Sequence, residues 1–332
     1  MKQKSGFSKK PDFYSNIFMG MYILRRLLLL IPTLVAISLI SFSLIHLAPG
    51  DPALVVLRAQ GVQQISAENL AQVRQTMGLD APFLVQYGRW LGRTLQLDLG
   101  ISVRTGSSVS ELIFTRLPAT VQLTAVSLLL AVAIALPVGM VTAVKQHTFI
   151  DHAGRVFAFL GASMPGFWLS LLLIYAFAVK LSWLPALGHG EVKHIVLPAL
   201  ALSLGIAPTY ARLLRSSMVE VLSQPYITAA RAKGVQEPIV VAHHALRNAL
   251  IPFVTVFGIS LAHLLGGAVV VETIFAWPGV GKLVVDAILT RDFPIVQAFV
   301  VIAAAFFVLI NLLVDISYRL LDPRIRLGES NP

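Results

Sequence analysis

Six runs of apolar residues dominate the chain, each near or above the roughly 20 residues that a helix needs to cross a bilayer. Their approximate limits are 27–48, 119–144, 156–179, 195–214, 249–271 and 295–317. The polar positions between them fall into segments of unequal length, of which 49–118 and 212–248 are the longest inside the chain. This pattern predicts an all-α polytopic membrane protein with six transmembrane helices. The expected organisation is a segment 1–23, a six-helix domain 24–318 with an external segment 49–118 and an internal loop 212–248, and a tail 319–332. The first run follows Arg25 and Arg26, as a signal peptide would. Leu27 to Ala48 is long for a cleavable core, however, so it reads as a retained helix.

The external segment carries its own helical signals. Pro49-Gly50-Asp51-Pro52 makes a rigid exit from the first helix. Residues 67–77 read as a short helix capped by Ser66 and stopped by Gly78. Residues 82–97 place apolar and aromatic positions at helical spacing, with Pro82 suited to a first turn. Tyr87 and Trp90 share one face, which fits either a helix lying at the membrane surface or a packed external cap.

Composition agrees with the pattern. Of 332 residues, 56% are hydrophobic and only 13% charged, against about 25% charged in soluble domains. Cysteine is absent, which removes disulfide and thiol chemistry. The net charge of +10 would suggest nucleic acid in a soluble chain; here the basic residues flank apolar runs and report topology, with no nucleic-acid partner expected. The short loops 180–194 and 272–294 hold only Lys180, Lys193, Lys282 and Arg291, whereas 212–248 holds Arg212, Arg215, Arg231, Lys233 and Arg247. The positive-inside bias therefore places both termini in the cytoplasm.

The apolar runs are broken by helix-disrupting residues. Pro137 and Gly139 interrupt the second, Met164-Pro165-Gly166 the third, Pro198, Gly205 and Pro208 the fourth, and Pro252, Gly258, Gly266 and Gly267 the fifth. Such positions allow close approach and bending. Ionisable residues are scarce inside the runs, which disfavours a proton-driven carrier. His263 stands near the middle of the fifth and reads as a neutral, hydrogen-bonded histidine; Asp315 lies near the inner end of the sixth.

The loop 212–248 is built for helices. Pro225 can open one, Tyr226 to Lys233 can continue it, and Gly234 can end it. Arg231 and Lys233 fall in its last turn, where cations suit the helix dipole. Ala229, Ala230 and Ala232 keep its profile thin, so it fits deep in a partner's cleft. Pro238 opens a second helix that leads through His243, His244 and Arg247 to the fifth run.

At this point the chain resembles the permease subunits of binding-protein-dependent ABC importers, in the dipeptide, oligopeptide and nickel branch. Thr228-Ala229-Ala230 followed by Gly234 is similar to the loop that docks on the ATPase, with Thr228 where the family pattern has Glu. Further matches are LRRLLLLIPTL at 24–34, PGDPA at 49–53, GLDAPFLVQYGRWL at 78–91, DLGIS at 98–102, ETIFAWPGVG at 272–281, RDFPIVQ at 291–297 and LLDPRIR at 320–326. The resemblance implies a second related permease subunit, two ATP-binding subunits and an external solute-binding protein, in a bacterial cytoplasmic membrane. It also implies coupling through Glu220, Pro225, Tyr226, Ala229, Ala230, Ala232 and Gly234. No catalytic residue, metal site or cofactor is expected in this chain; ATP and Mg belong to the partners, since GVGK at 279–282 lacks the spacing of a phosphate-binding loop.

The segment from Glu272 to Gly281 is expected to fold back at the outer mouth. Glu272, Phe275, Trp277, Pro278 and Gly279 are its candidates for a gate or a binding-protein contact, with Glu272 able to attract a cation. Arg291 and Asp292 read as an interfacial pair. For cargo, GDPALVVLR at 50–58, FLGASMPGFWL at 159–169 and WLPALG at 183–188 are similar to nickel permeases, so the expected cargo is nickel or a metal chelate, with dipeptides or oligopeptides as the alternative. His46, His189, His194 and His263 form no short-spaced ligand cluster. A membrane scaffold that docks through 212–248 without transport is the reading from another class.

Overall fold

The computed structural model describes residues 28–43, 47, 51–59 and 64–321. The expected segment 1–23, most of the expected tail, His46, and the side chains of His263 and Asp315 lie outside the described residues. Helices make up most of the described part: α1 Leu28–Ser43, α2 Pro52–Ala59, α3 Ala67–Met77, α4 Phe83–Leu95, α5 Val109–Val144, α6 Phe149–Ser163 and α7 Gly166–Leu173. There follow α8 Val192–Leu222, α9 Pro225–Ala232, α10 Glu237–Ile239, α11 Leu246–Ile274, α12 Val280–Thr290 and α13 Phe293–Leu321. Wider π turns, Ile174–Lys180 and Val240–Ala245, extend α7 and join α10 to α11.

Each expected apolar run contains helix, but three features differ from expectation. First, α5 begins at Val109, ten residues before the apolar run at 119. Those residues are amphipathic, and Val109 and Ile113 are fully buried against α12 and α13. Second, the third run is not one rod: α6 and α7 meet at Met164 and Pro165 with a 105° bend. Third, Pro118, Pro137, Pro198, Pro208 and Pro252 stand inside continuous helices rather than breaking them. Neighbouring helices and local adjustments in such bundles re-satisfy the carbonyls that proline frees.

The core is the contact between α5 and α8, lined by Leu123, Leu128, Ala131 and Ala135 on one side and Leu197, Ala201, Ala207 and Leu214 on the other. Small residues let the two backbones approach. Gly139 shows why: an added Cβ would lie 2.9 Å from both the Ala211 carbonyl oxygen and Leu214 Cβ. α11 runs the length of this core. Its early residue Phe253 packs on Tyr210 of α8, ring centroids 5.1 Å apart, and its late residue Glu272 meets Thr120 of α5. The bundle thus has two ends: one at α9, the other at the start of α5.

The 49–118 segment is folded. Ser66 Oγ accepts from the Asn69 amide at 3.1 Å, and Gly78 ends α3 in the left-handed conformation, as the sequence predicts. Tyr87 and Trp90 of α4 both pack on Phe42 of α1, at 5.6 and 5.5 Å between centroids, and Tyr87 shares a 2.8 Å hydrogen bond with Ser38. The aromatic face of α4 is therefore a packing face within the chain.

Candidate functional site

The segment 212–248 presents a short exposed helix on a fixed base. α9 starts at Pro225 and closes at Gly234, whose φ of +79° suits glycine. The Gly234 amide donates to the Arg231 carbonyl and the Val235 amide to the Ala230 carbonyl. Ile227 is fully buried and wedges α9 into the core. Tyr226 is exposed, but its hydroxyl accepts from Asn248 Nδ2 at 3.0 Å, tying α9 to the start of α11. Arg231 grips Glu237 through Nε at 3.0 Å and Nη2 at 2.6 Å.

Among the expected coupling residues, Pro225, Tyr226, Ala229, Ala232 and Gly234 lie on the exposed side, together with Thr228. Glu220 is exposed in the last turn of α8. Ala230 differs: it is half-buried and packs on the chain's own core.

The base of this segment holds a buried ion pair that sequence reasoning missed. Asp151, in the first turn of α6, is completely buried and accepts two bonds from Arg215 of α8, at 2.6 and 2.9 Å. The His147 amide donates to the same carboxylate at 3.1 Å, and Arg155 lies 3.5 Å away. The signal in the sequence is an isolated acid next to an apolar run, with Arg215 sixty-four positions away.

At the opposite end, the segment after α11 folds back into α12. Glu272 is completely buried, and Phe275 and Trp277 are 2% and 1% exposed, so these three side chains are not surfaces for an external protein or cation. This corrects the expectation that Glu272 attracts a cation. Its Oε1 accepts from Thr120 Oγ1 at 2.7 Å and its Oε2 from the Lys282 amide at 3.0 Å, so it caps the start of α12 from a distance. Thr120 Oγ1 accepts in turn from the Val280 amide at 2.9 Å, and Trp277 Nε1 donates to the Ala119 carbonyl at 2.9 Å. Pro278 is half-buried and Gly279 buried beside them. His189 lies edge-on to Trp277 at 4.5 Å, which lays the 181–191 loop over the junction.

Arg291 and Asp292 are not a pair. Asp292 is 2% exposed; it accepts from Ser102 Oγ and from the Val103 and Arg104 amides at 3.1 and 3.3 Å. It pins the 98–106 loop to the start of α13. Lys282 instead pairs with Asp286 at 2.7 Å. Among the described residues, no three His, Cys, Asp or Glu side chains gather as a metal site.

The chain's relatives match this architecture. The family of binding-protein-dependent transport system inner membrane components matches residues 135–327, and the N-terminal family of the same membrane components matches 19–124. A dipeptide transport system permease protein of Alkalihalophilus pseudofirmus is 40% identical, over 92% of this chain and 99% of the relative. A glutathione transport system permease protein of Salmonella paratyphi A is 44% identical, over 92% and 98%. An oligopeptide transport system permease protein of Bacillus subtilis is 42% identical, over 92% and 99%. In fold, the chain is similar to the inward-facing MetNI methionine ABC transporter, with a TM-score of 0.53 at 21% identity, covering 64% of this chain and 96% of that one. These three relatives are named for transport of a dipeptide, glutathione and an oligopeptide. The chain is a multi-pass inner-membrane protein and belongs to the family of binding-protein-dependent transport system inner membrane components.

Proposed function

We propose that this chain forms one half of the translocation path of an ATP-driven importer of short peptides. The observation that carries the cargo reading is the agreement of three relatives, 40–44% identical over nearly their whole length, each named for transport of a dipeptide, an oligopeptide or glutathione. The complex would hold a second related permease subunit, two ATP-binding subunits and a solute-binding protein. ATP and Mg bind in the partner subunits, so this chain is not an enzyme. Both termini and α9 face the cytoplasm, in line with the basic residues of 212–248.

In this reading α9 sits in a cleft of the ATP-binding subunit. Glu220, Pro225, Tyr226, Ala229, Ala232 and Gly234 supply its exposed contact, and Ala230 supports it from behind. ATP-driven closure of the partners displaces α9. The buried Ile227 and the Tyr226–Asn248 bond pass the displacement to α8 and α11. The Asp151–Arg215 pair passes it to α6, whose junction with α7 is already bent. Phe275, Trp277, Pro278 and Gly279 act as a gate by closing the far end from inside the chain.

Peptide-stimulated ATPase activity of the reconstituted complex tests the cargo. The solute-binding protein loaded with a dipeptide or glutathione is expected to raise turnover. Stimulation by nickel-loaded protein, with none by peptide, would overturn the reading.

A further inference from the structure

A cavity of about 1170 Å³ opens beside the start of α5, between α4, the 98–106 loop and the beginning of α13. It lies at the end of the bundle opposite α9. Arg89, Arg93 and Arg104 line it and are exposed. Among the described residues none of these guanidinium groups has a partner. The single carboxylate in the lining, Asp98, is turned to its own loop, where it accepts from the Gly100 amide at 3.1 Å.

Two features of α4 work against the helix itself. Arg89 and Arg93 stand four residues apart, a spacing at which like charges repel. Gly88 and Gly92 line the same cavity, and a Cβ added to either would meet nothing within 4 Å. Glycine inside a helix is worse than alanine, and no neighbour within the chain demands it at these positions. Together the four residues make a bare strip of backbone flanked by positive charge. Arg104 faces it from a loop that Asp292 holds by two backbone amides.

We propose that this cavity seats a narrow acidic segment of the solute-binding protein, its main chain lying along Gly88 and Gly92 and its carboxylates pairing with Arg89, Arg93 and Arg104. The proposal rests on reading the chain as a subunit of a binding-protein-dependent importer. Guanidinium groups pair with carboxylates through two parallel bonds, which gives position as well as attraction. A concave site favours a protruding protein segment over the flat face of a bilayer. Helix length points the same way for the loop: the ten residues before position 119 add about 15 Å of α5 beyond its apolar run. A headgroup layer is only about 5–8 Å deep.

The test titrates the purified solute-binding protein onto the full complex in uncharged phosphatidylcholine nanodiscs. Wild type is compared with Arg89→Gln/Arg93→Gln/Arg104→Gln, with Gly88→Leu/Gly92→Leu, and with Gly88→Ala/Gly92→Ala. The arginine triple and the leucine pair are each expected to weaken Kd tenfold or more, and the triple to flatten its dependence on salt. The alanine pair is expected to fold at least as well as wild type, and leucine also favours helix over glycine, so misfolding does not mimic the result. Wild-type affinity in both the triple and the leucine pair would overturn the inference. Loss of binding to phosphatidylglycerol vesicles, with the binding-protein Kd unchanged, would assign the arginines to lipid headgroups and overturn it too. A wild-type complex that binds no solute-binding protein would instead sink the importer reading, and this inference with it.

Discussion

The carboxylate of Glu272 occupies the space that any side chain on Gly279 would need: a Cβ there would lie 2.2 Å from Glu272 Cδ. Gly281 is constrained in the same way, with an added Cβ 2.8 Å from Glu272 Oε2. The glycines of this segment thus serve a buried acid that joins α5, α11 and α12. Thr120→Val keeps the shape of the threonine but leaves Glu272 Oε1 and the Val280 amide without their partner. Leaving such buried groups unsatisfied costs about 1–3 kcal/mol. Unfolding of the detergent-solubilised chain is expected to shift by that amount, and Thr120→Ser to recover most of it.

The Asp151–Arg215 pair makes a second prediction. Removing one partner of a buried ion pair typically costs about 3–5 kcal/mol, because the other charge is stranded. Asp151 is completely buried while the Arg215 side chain is 21% exposed, so Arg215→Ala strands the worse charge. A double-mutant cycle on Asp151→Ala and Arg215→Ala is expected to show the double variant far less destabilised than the sum of the singles. Additive losses would remove the pair from the force-carrying route.

The contrast between Ala229 and Ala230 separates contact from packing. Ala229 is exposed and Ala230 packs on the core. Ala229→Trp is expected to leave expression and thermal stability unchanged while reducing ATP-driven transport at least tenfold in proteoliposomes. Ala230→Trp is expected to lower stability as well. Full transport by Ala229→Trp would contradict docking on this face.

Acid should loosen the connection after α9. Hydrogen bonds from Arg231 hold the Glu237 carboxyl below its ordinary pKa. A depressed carboxylate contributes stability that is complete above its unfolded pKa, about 4.3, and is lost as pH falls through the lower folded value. Both partners are exposed, so the effect is small and local. Relative to the intrinsic exchange rate, which itself slows with acid, protection of the 225–239 amides is expected to fall below about pH 4.3 in wild type, and Glu237→Gln to be less protected than wild type at neutral pH and to lose this pH dependence.

The sequence revealed what local chemistry decides. Ser66 and Gly78 bound α3, Pro225 and Gly234 bound α9, and the apolar runs located helices because each signal acts within a few residues. What it concealed depends on residues far apart. Pro137 does not break α5, since tertiary packing overrides propensity. Glu272 and Asp292 look like surface acids in the sequence because their partners, Thr120 for the first and the Ser102 hydroxyl with the Val103 and Arg104 amides for the second, stand more than 150 positions away. The amphipathic stretch 109–118 looked like loop because its apolar face is covered by α12 and α13. The nickel-like matches span only a few residues each, whereas the relatives that match over 92% of the chain are named for a dipeptide, glutathione or an oligopeptide.

The most direct measurement is uptake into sealed proteoliposomes that contain the full complex, with ATP on the α9 side and loaded solute-binding protein on the other. The account predicts accumulation of labelled dipeptide or glutathione that requires ATP, is competed by unlabelled peptide and is lost with Ala229→Trp. ATP-dependent nickel uptake that peptides do not compete, or peptide uptake indifferent to ATP, would contradict it.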